Sequence, residues 1–251
     1  MTEQLTRAAL RPRWSRTWRA EGYRFLSLRS QWALLVVAVT GALALGGGQV
    51  LVLPPGVATA TVVRAAVSGA EVSPFFLGLG AALFTAADLS SRQFALTLLQ
   101  MNDRTLVFAA KTAVLGAAGT ITGLAVITLV LPLAVLRTDG ALTSSPLAWL
   151  ALPGLHLLFV LLGAAIGMLM RSPVAAVFVY LAVVWALPLV VAIAGIWAPS
   201  ISGSVLQLAP VTLTAAMLEP ATQAAAVVRF VGLDAVLLGL GLLSIRRWGI
   251  R

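Results

Sequence analysis

The chain contains no cysteine. Disulfides, thiol nucleophiles and cysteine-ligated metals are therefore excluded. Charge is scarce: 10% of the residues are Asp, Glu, Lys or Arg, against roughly a quarter in ordinary soluble domains. Histidine occurs once, and without an HExxH pair a zinc protease is excluded. No GxxxxGK[ST] phosphate loop is present, so the chain does not bind ATP in that manner. No two carboxylates sit together as an acid and a base, and the serines have no partner base. The chain is read as non-catalytic, with no metal site and no cofactor of its own.

Apolar residues take the place of what is missing, at 60% of the composition. A soluble core of this length could not bury so much apolar surface, but lipid can. The 251 residues leave room for about six spans of roughly 20 residues each and for no sizeable soluble domain. The expected fold is an all-α membrane protein. Hydropathy places a transmembrane domain over 32–245, with spans at about 32–53, 72–89, 106–136, 147–170, 174–197 and 226–245. Residues 1–31 form a basic cytoplasmic or interfacial segment, and 246–251 form a short tail. The first apolar run starts near Trp32, far from the N-terminus, so a cleavable signal peptide is not expected.

Proline positions punctuate the spans. Pro54 and Pro55 stop the first. Pro74 falls in the first turn of the second, a tolerated place. Pro173 marks a tight turn, and Pro188 predicts a kink in the fifth span. Pro210 and Pro220 break the stretch 199–223, which reads as one or two short helices, re-entrant or interfacial, with an ordinary surface loop as the alternative.

The net charge is +9, carried by sixteen Arg and one Lys against eight acids. On a soluble protein this would suggest nucleic acid. In a membrane protein its position sets orientation, because cationic residues stay in cytoplasmic loops. With the N-terminus inside, the inner segments hold fourteen cationic residues, and the outer ones hold only Arg64, Arg137 and Arg229. Both termini are therefore expected in the cytoplasm of a bacterial cell, with the chain multi-pass in the plasma membrane and no nucleic-acid partner.

From Trp14 the N-terminal segment turns helical in pattern. Trp14, Trp18, Phe25, Leu28 and Trp32 fall within an arc of roughly 80° at 100° per residue. Aromatics on one face with Arg16 and Arg19 on the other describe a helix lying in the membrane interface. Trp14, Trp18 and Phe25 would be its anchors; a short helix packed on a partner is the alternative. Glu21 sits on the aromatic face and has no obvious reason to be there. In the third and fourth spans, Gly119 with Gly123 and Gly163 with Gly167 are GxxxG pairs that let helices approach closely.

The loop between spans two and three carries the most information. It runs from Asp88 through Arg92, Phe94, Thr97, Leu98, Met101, Asp103 and Arg104 to Lys111. Phe94, Leu98 and Met101 are spaced i, i+4, i+7 and share one face of a short helix. Such a helix can lie on lipid or seat its apolar face in a groove on a soluble partner. Asp88, Thr97, Leu98, Arg104, Ala110 and Lys111 match in register the permease subunit of ABC-2 type ABC transporters, which the chain resembles, especially the small actinobacterial ones. Arg92 and Asn102 depart from that pattern, where many members have Gly and Pro. The run from Glu21 through Arg24, Ser27 and Arg29 to Ser30 is similar to the family's segment before the first span. Leu208-Ala-Pro210 resembles its Pro-containing segment before the last.

The resemblance implies a permease that pairs with a second copy or a paralogue and recruits two ABC ATPase subunits, which would hold the ATP and Mg. The loop helix would be a coupling helix. Phe94, Leu98 and Met101 would be its apolar contacts, and Arg92, Asp103 and Arg104 its polar ones. Glu21 would contact the ATPase, pair with a loop arginine, or pair locally with Arg24. The implied function is an ATP-driven exporter for an amphipathic drug, antibiotic peptide or lipid-like molecule.

Two ionisable residues lie well inside spans, His156 in the fourth and Asp234 in the sixth. By distance from the outer ends of their spans they share a depth, so they are candidates to pair or to line a substrate path. A plain tie to a nearby carbonyl or hydroxyl is the alternative. Two other readings of function remain: a stand-alone proton-coupled transporter using these two residues, and a non-transporting immunity or scaffold protein.

Overall fold

The structure is a computed structural model that describes residues 2–91, 103–138, 146–197, 209–217 and 221–247. Among these residues the chain is helix joined by turns, with no strand. Helix α1 runs Thr2–Ser27. Then come α2 (Arg29–Val52), α3 (Thr59–Ala70), α4 (Val72–Ser90), α5 (Arg104–Arg137) and α6 (Pro146–Met170). The last three are α7 (Pro173–Ala194), α8 (Pro210–Met217) and α9 (Gln223–Arg246). Six helices are long and apolar enough to cross a membrane: α2, α3 with α4 as one stretch, α5, α6, α7 and α9.

The second span departs most from its sequence-based limits. It begins at Thr61 rather than near Val72. Arg64 and Glu71 made residues 61–71 look like a connection, but they continue the helix outward. The one interruption is a turn at Glu71 between α3 and α4. Pro74 explains its place. Its ring clashes with the carbonyl four residues back, at Ala70, and it has no N–H to offer that oxygen.

Helix α1 also departs from expectation. Its pattern was continuous to Trp32, yet the backbone is extended at Leu28 (φ −86°, ψ 114°). Trp32 fastens the corner, its Nε1–H donating to the Leu26 carbonyl at 2.8 Å. Of the three expected interfacial anchors, Trp14 is exposed and Trp18 half-buried. Phe25 is buried, packed edge-on against Phe84 of α4 at 5.7 Å. Phe25 therefore anchors α1 to the bundle rather than to lipid, because Phe84 offers it an apolar face within the protein.

The core is built around α4 and α6, which share the most extensive interface. Both are mostly buried, whereas α2, α7 and α9 turn most of their surface outward. Glycine makes the central contact possible. A Cβ on Gly163 of α6 would fall on the Gly78 carbonyl of α4, and one on Gly167 would meet the Ala82 carbonyl at 2.5 Å. Gly123 of α5 likewise lies against the Pro153 backbone and the His156 ring of α6. Both GxxxG pairs thus sit where helices approach most closely.

Two spans contain a π-helical turn, Leu43–Gly47 in α2 and Ala182–Ala186 in α7. Where a kink was expected at Pro188, the structure shows a π-helical turn immediately before it. Pro188 cannot donate to the Val184 carbonyl, and the helix widens over the preceding turn before resuming at Leu187. Helix α8 has Pro210 as its first residue and buries Leu213, Thr214 and Met217 among α6, α7 and α9.

Candidate functional site: a buried ion network

One end of the bundle, where α1 and the C-terminus of α9 lie, is held by polar ties. Arg104 at the start of α5 donates to the Ile245 and Arg246 carbonyls at 3.1 and 3.2 Å. It thereby satisfies acceptors that the end of α9 leaves free. Arg171, after α6, donates to the Ser244 carbonyl and hydroxyl at 2.9 and 2.6 Å.

The centre of this end is a four-residue charge network. Lys111 of α5 is 2% exposed. Its ammonium donates to Glu21 Oε2 of α1 at 2.7 Å and to Asp88 Oδ2 of α4. The other Asp88 oxygen is paired with the Arg24 guanidinium. Lys111 Nζ also lies 4.3 Å from the centre of the Phe84 ring, a cation–π distance. Two acids and two bases make the network neutral. A buried charge is tolerable only when so paired.

Helical spacing explains why these four residues can meet. Glu21 and Arg24 are three apart and share a face of α1. Asp88 lies about half a turn from the end of α4, and Lys111 about two turns into α5, so both stand on the loop-side ends of the two stems. Glu21 answers its own oddity. It stands on the aromatic face because that face packs on the bundle, and its carboxylate meets the chain's one lysine. Besides the three roles expected for Glu21, the structure shows another, an ion pair with Lys111 in the buried network.

The remaining predicted coupling residues divide. Arg92, Phe94, Leu98 and Met101 lie outside the described residues. Asp103 caps α5, its Oδ1 accepting from Leu106 N–H at 3.0 Å, while Arg104 ties α5 to α9. Replacing Asp103 with alanine should remove about 1 kcal/mol of stability. Faster amide exchange at Leu106 would show it, and unchanged exchange would show that the cap is idle.

His156 and Asp234 do not pair. Both ring nitrogens of His156 are engaged elsewhere. Nδ1–H donates to the Leu152 carbonyl at 2.8 Å, and in the neutral ring Nε2 accepts from the Ser73 hydroxyl at 2.8 Å. With Gly123 against the ring, His156 fastens α4, α5 and α6 together. Register gives the reason. Phe159 meets Phe230, and Arg171 meets Ser244. These pairs place Asp234 level with residues 161–163, five to seven residues from His156, or roughly 8–10 Å along the axis. Equal distance from the span ends in sequence did not mean equal depth. Asp234 is buried, and neither of its oxygens has a hydrogen-bond partner among the described residues.

A third ionisable residue inside a span was missed. Glu71 is half-buried in the turn between α3 and α4 and borders a cavity of about 270 Å³. Pro74, three residues on, was the available signal. A proline in the first turn of one helix can be the break in a longer one.

Among the described residues, no three His, Asp or Glu side chains cluster to hold a metal ion. Among the described residues, fold and site define a class: a helical protein with six helices long and apolar enough to cross a membrane and a buried ion network at the end where α1 meets the C-terminus of α9. No family model matches the chain, and no curated protein matches it.

Proposed function

We propose that the chain is the transmembrane permease subunit of an ATP-driven exporter. It spans a bacterial plasma membrane with both termini in the cytoplasm, where the arginines concentrate. In this reading it pairs with a second permease, and two separate ATPase subunits supply ATP hydrolysis, with Mg. The chain itself is not catalytic. Helix α8 is re-entrant, and the N-terminal part of α1 lies along the interface.

One observation supports this reading above the others. Glu21, Arg24, Asp88 and Lys111, which fall in the segments carrying the resemblance to ABC-2 permeases, converge in one buried network. Asp88 and Lys111 stand on the two stems of the loop that would hold the coupling helix. Joined to each other and to α1, they make the stems one unit. A push on residues 92–102 would then tilt the second and third spans together with α1 instead of bending the loop.

Purification from its own membranes tests the reading. A soluble ATPase should accompany the chain, and Phe94→Asp combined with Leu98→Asp should release it while the chain stays folded. Transport by the purified chain alone would overturn the proposal. Asp234 favours one alternative, a proton-coupled transporter, because its carboxylate is buried without a hydrogen-bond partner among the described residues. That alternative predicts pH-gradient-driven transport in vesicles containing only this chain, abolished by Asp234→Asn.

A further inference from the structure

Three irregularities of the bundle converge on one place. The π-turn of α2 carries Leu45, and the π-turn of α7 carries Val184 and Trp185. Glu71 forms the break between α3 and α4. All of these residues border the same cavity of about 270 Å³, together with Phe75, Phe159 and Thr214. π-turns are rare and concentrate at functional sites. Pro74 and Pro188 account for where the helix break and the α7 π-turn fall, and what the three irregularities share is the cavity they surround.

The chemistry of the cavity is specific. Its walls are mainly apolar and aromatic. Phe75 stands edge-on to Trp185 at 5.8 Å, and Phe75 and Tyr180 are 5.7 Å apart. The Glu71 side chain caps nothing, although Glu71 occupies the N-cap position of α4. Among the described residues, no cationic side chain lines the cavity. The nearest arginine on the same stretch, Arg64, lies about two turns away and is itself engaged. Glu71 is ten residues into the span that starts at Thr61, or roughly 15 Å from its end. Carboxylates at such depth face cavities and await a partner of opposite charge.

The cavity also has a side opening. Phe159 and Val184 are buried, but Leu45 and Trp185, on the outward faces of α2 and α7, are about half exposed. A molecule dissolved in the acyl chains could enter between those two helices without crossing the bundle.

We propose that this cavity binds a small lipophilic cation, an aryl-alkyl ammonium in chemical class. The charge of the ligand would sit between the Glu71 carboxylate and the faces of Phe75 and Trp185. The rings supply cation–π attraction, and the Glu71 carboxylate supplies the opposite charge to the ligand's ammonium. The volume lies near the lower end of the range for small-molecule pockets, which suits one aromatic ring with a compact ammonium head. The site does not rest on the exporter reading, because binding is measured on this chain alone.

Benzyltrimethylammonium and neopentylbenzene test it. The two have the same shape, and nitrogen with its charge replaces a quaternary carbon. The radiolabelled cation is titrated onto the full chain in lipid nanodiscs, with empty nanodiscs as background. One saturable site per chain is expected, not displaced by neopentylbenzene. Glu71→Gln should weaken binding at least tenfold, and Glu71→Asp should retain most of it. Trp185→Leu alters an exposed side chain and leaves the core intact. It should weaken binding about threefold, the usual worth of one partly exposed cation–π contact. Asp234→Asn should change nothing. The inference fails if no saturable site exceeds the empty-disc background, or if the neutral isostere competes equally. It fails equally if a monodisperse Glu71→Gln protein binds as the wild type does. Should that variant not fold, unchanged affinity in Trp185→Leu overturns the site by itself.

Discussion

Replacing Lys111 with methionine should destabilise the protein by about 3–5 kcal/mol, the usual cost of removing one partner from a buried ion pair. Methionine keeps the unbranched stem and its contact with the Phe84 ring, so little packing is lost. What it removes is the charge between Glu21 and Asp88, which are 4% and 5% exposed. Asp88 still has Arg24. Glu21 is left with a buried carboxylate that has lost its ammonium partner, and one arginine remains in the network for two acids. Adding Glu21→Gln to Lys111→Met should recover part of the loss, because it deletes the uncompensated charge. Thermal unfolding of the solubilised protein measures both. A Lys111→Met protein as stable as wild type would mean that water reaches the network. Unchanged stability in the double variant relative to Lys111→Met would mean that the loss came from packing.

Gly163→Ala should be the most damaging single-methyl change in the bundle. Overpacking a tight core ordinarily costs about 1–3 kcal/mol, and the upper end is expected here. The group in the way is backbone, the Gly78 carbonyl, which has no rotamer by which to move aside. To admit the methyl, α4 and α6 must separate, and their shared interface is the largest in the molecule. Gly239→Ala provides the contrast. Nothing lies within 4 Å of a Cβ there, and alanine favours helix over glycine by about 1 kcal/mol. That variant should be neutral or slightly stabilised. If both substitutions behave alike in thermal unfolding and in recovery of monodisperse protein, the close approach of α4 and α6 is not what holds the core.

The spans themselves were legible because hydropathy and length are local properties. Five of the six helices begin and end within a few residues of where composition places them. The second span was cut short at Val72 for an equally local reason. Arg64 and Glu71 lower the window average, and no hydropathy window registers that Glu71 borders a cavity inside the protein. The same limit affected His156 and Asp234. Counting from the span ends gave them one depth, but the relative slide of α6 and α9 is set by contacts such as Phe159 with Phe230. No count along a single helix contains that information.

Glu21 marks the boundary most clearly. Its sequence neighbours show only that an acid stands on an aromatic face. The residue that explains it, Lys111, is ninety positions away and belongs to another helix.

The sequence alone determined that the chain is helical, that six segments are long and apolar enough to cross a membrane, and where glycine permits close packing. These follow from composition and from periods of a few residues. Only the tertiary structure decided that Glu21, Arg24, Asp88 and Lys111 form one network, that His156 is a fastener tied to Ser73, and that Glu71 faces a cavity between two π-turns. Buried charges are stabilised by partners a few ångströms away in space, and the fold, not the spacing along the chain, brings those partners together.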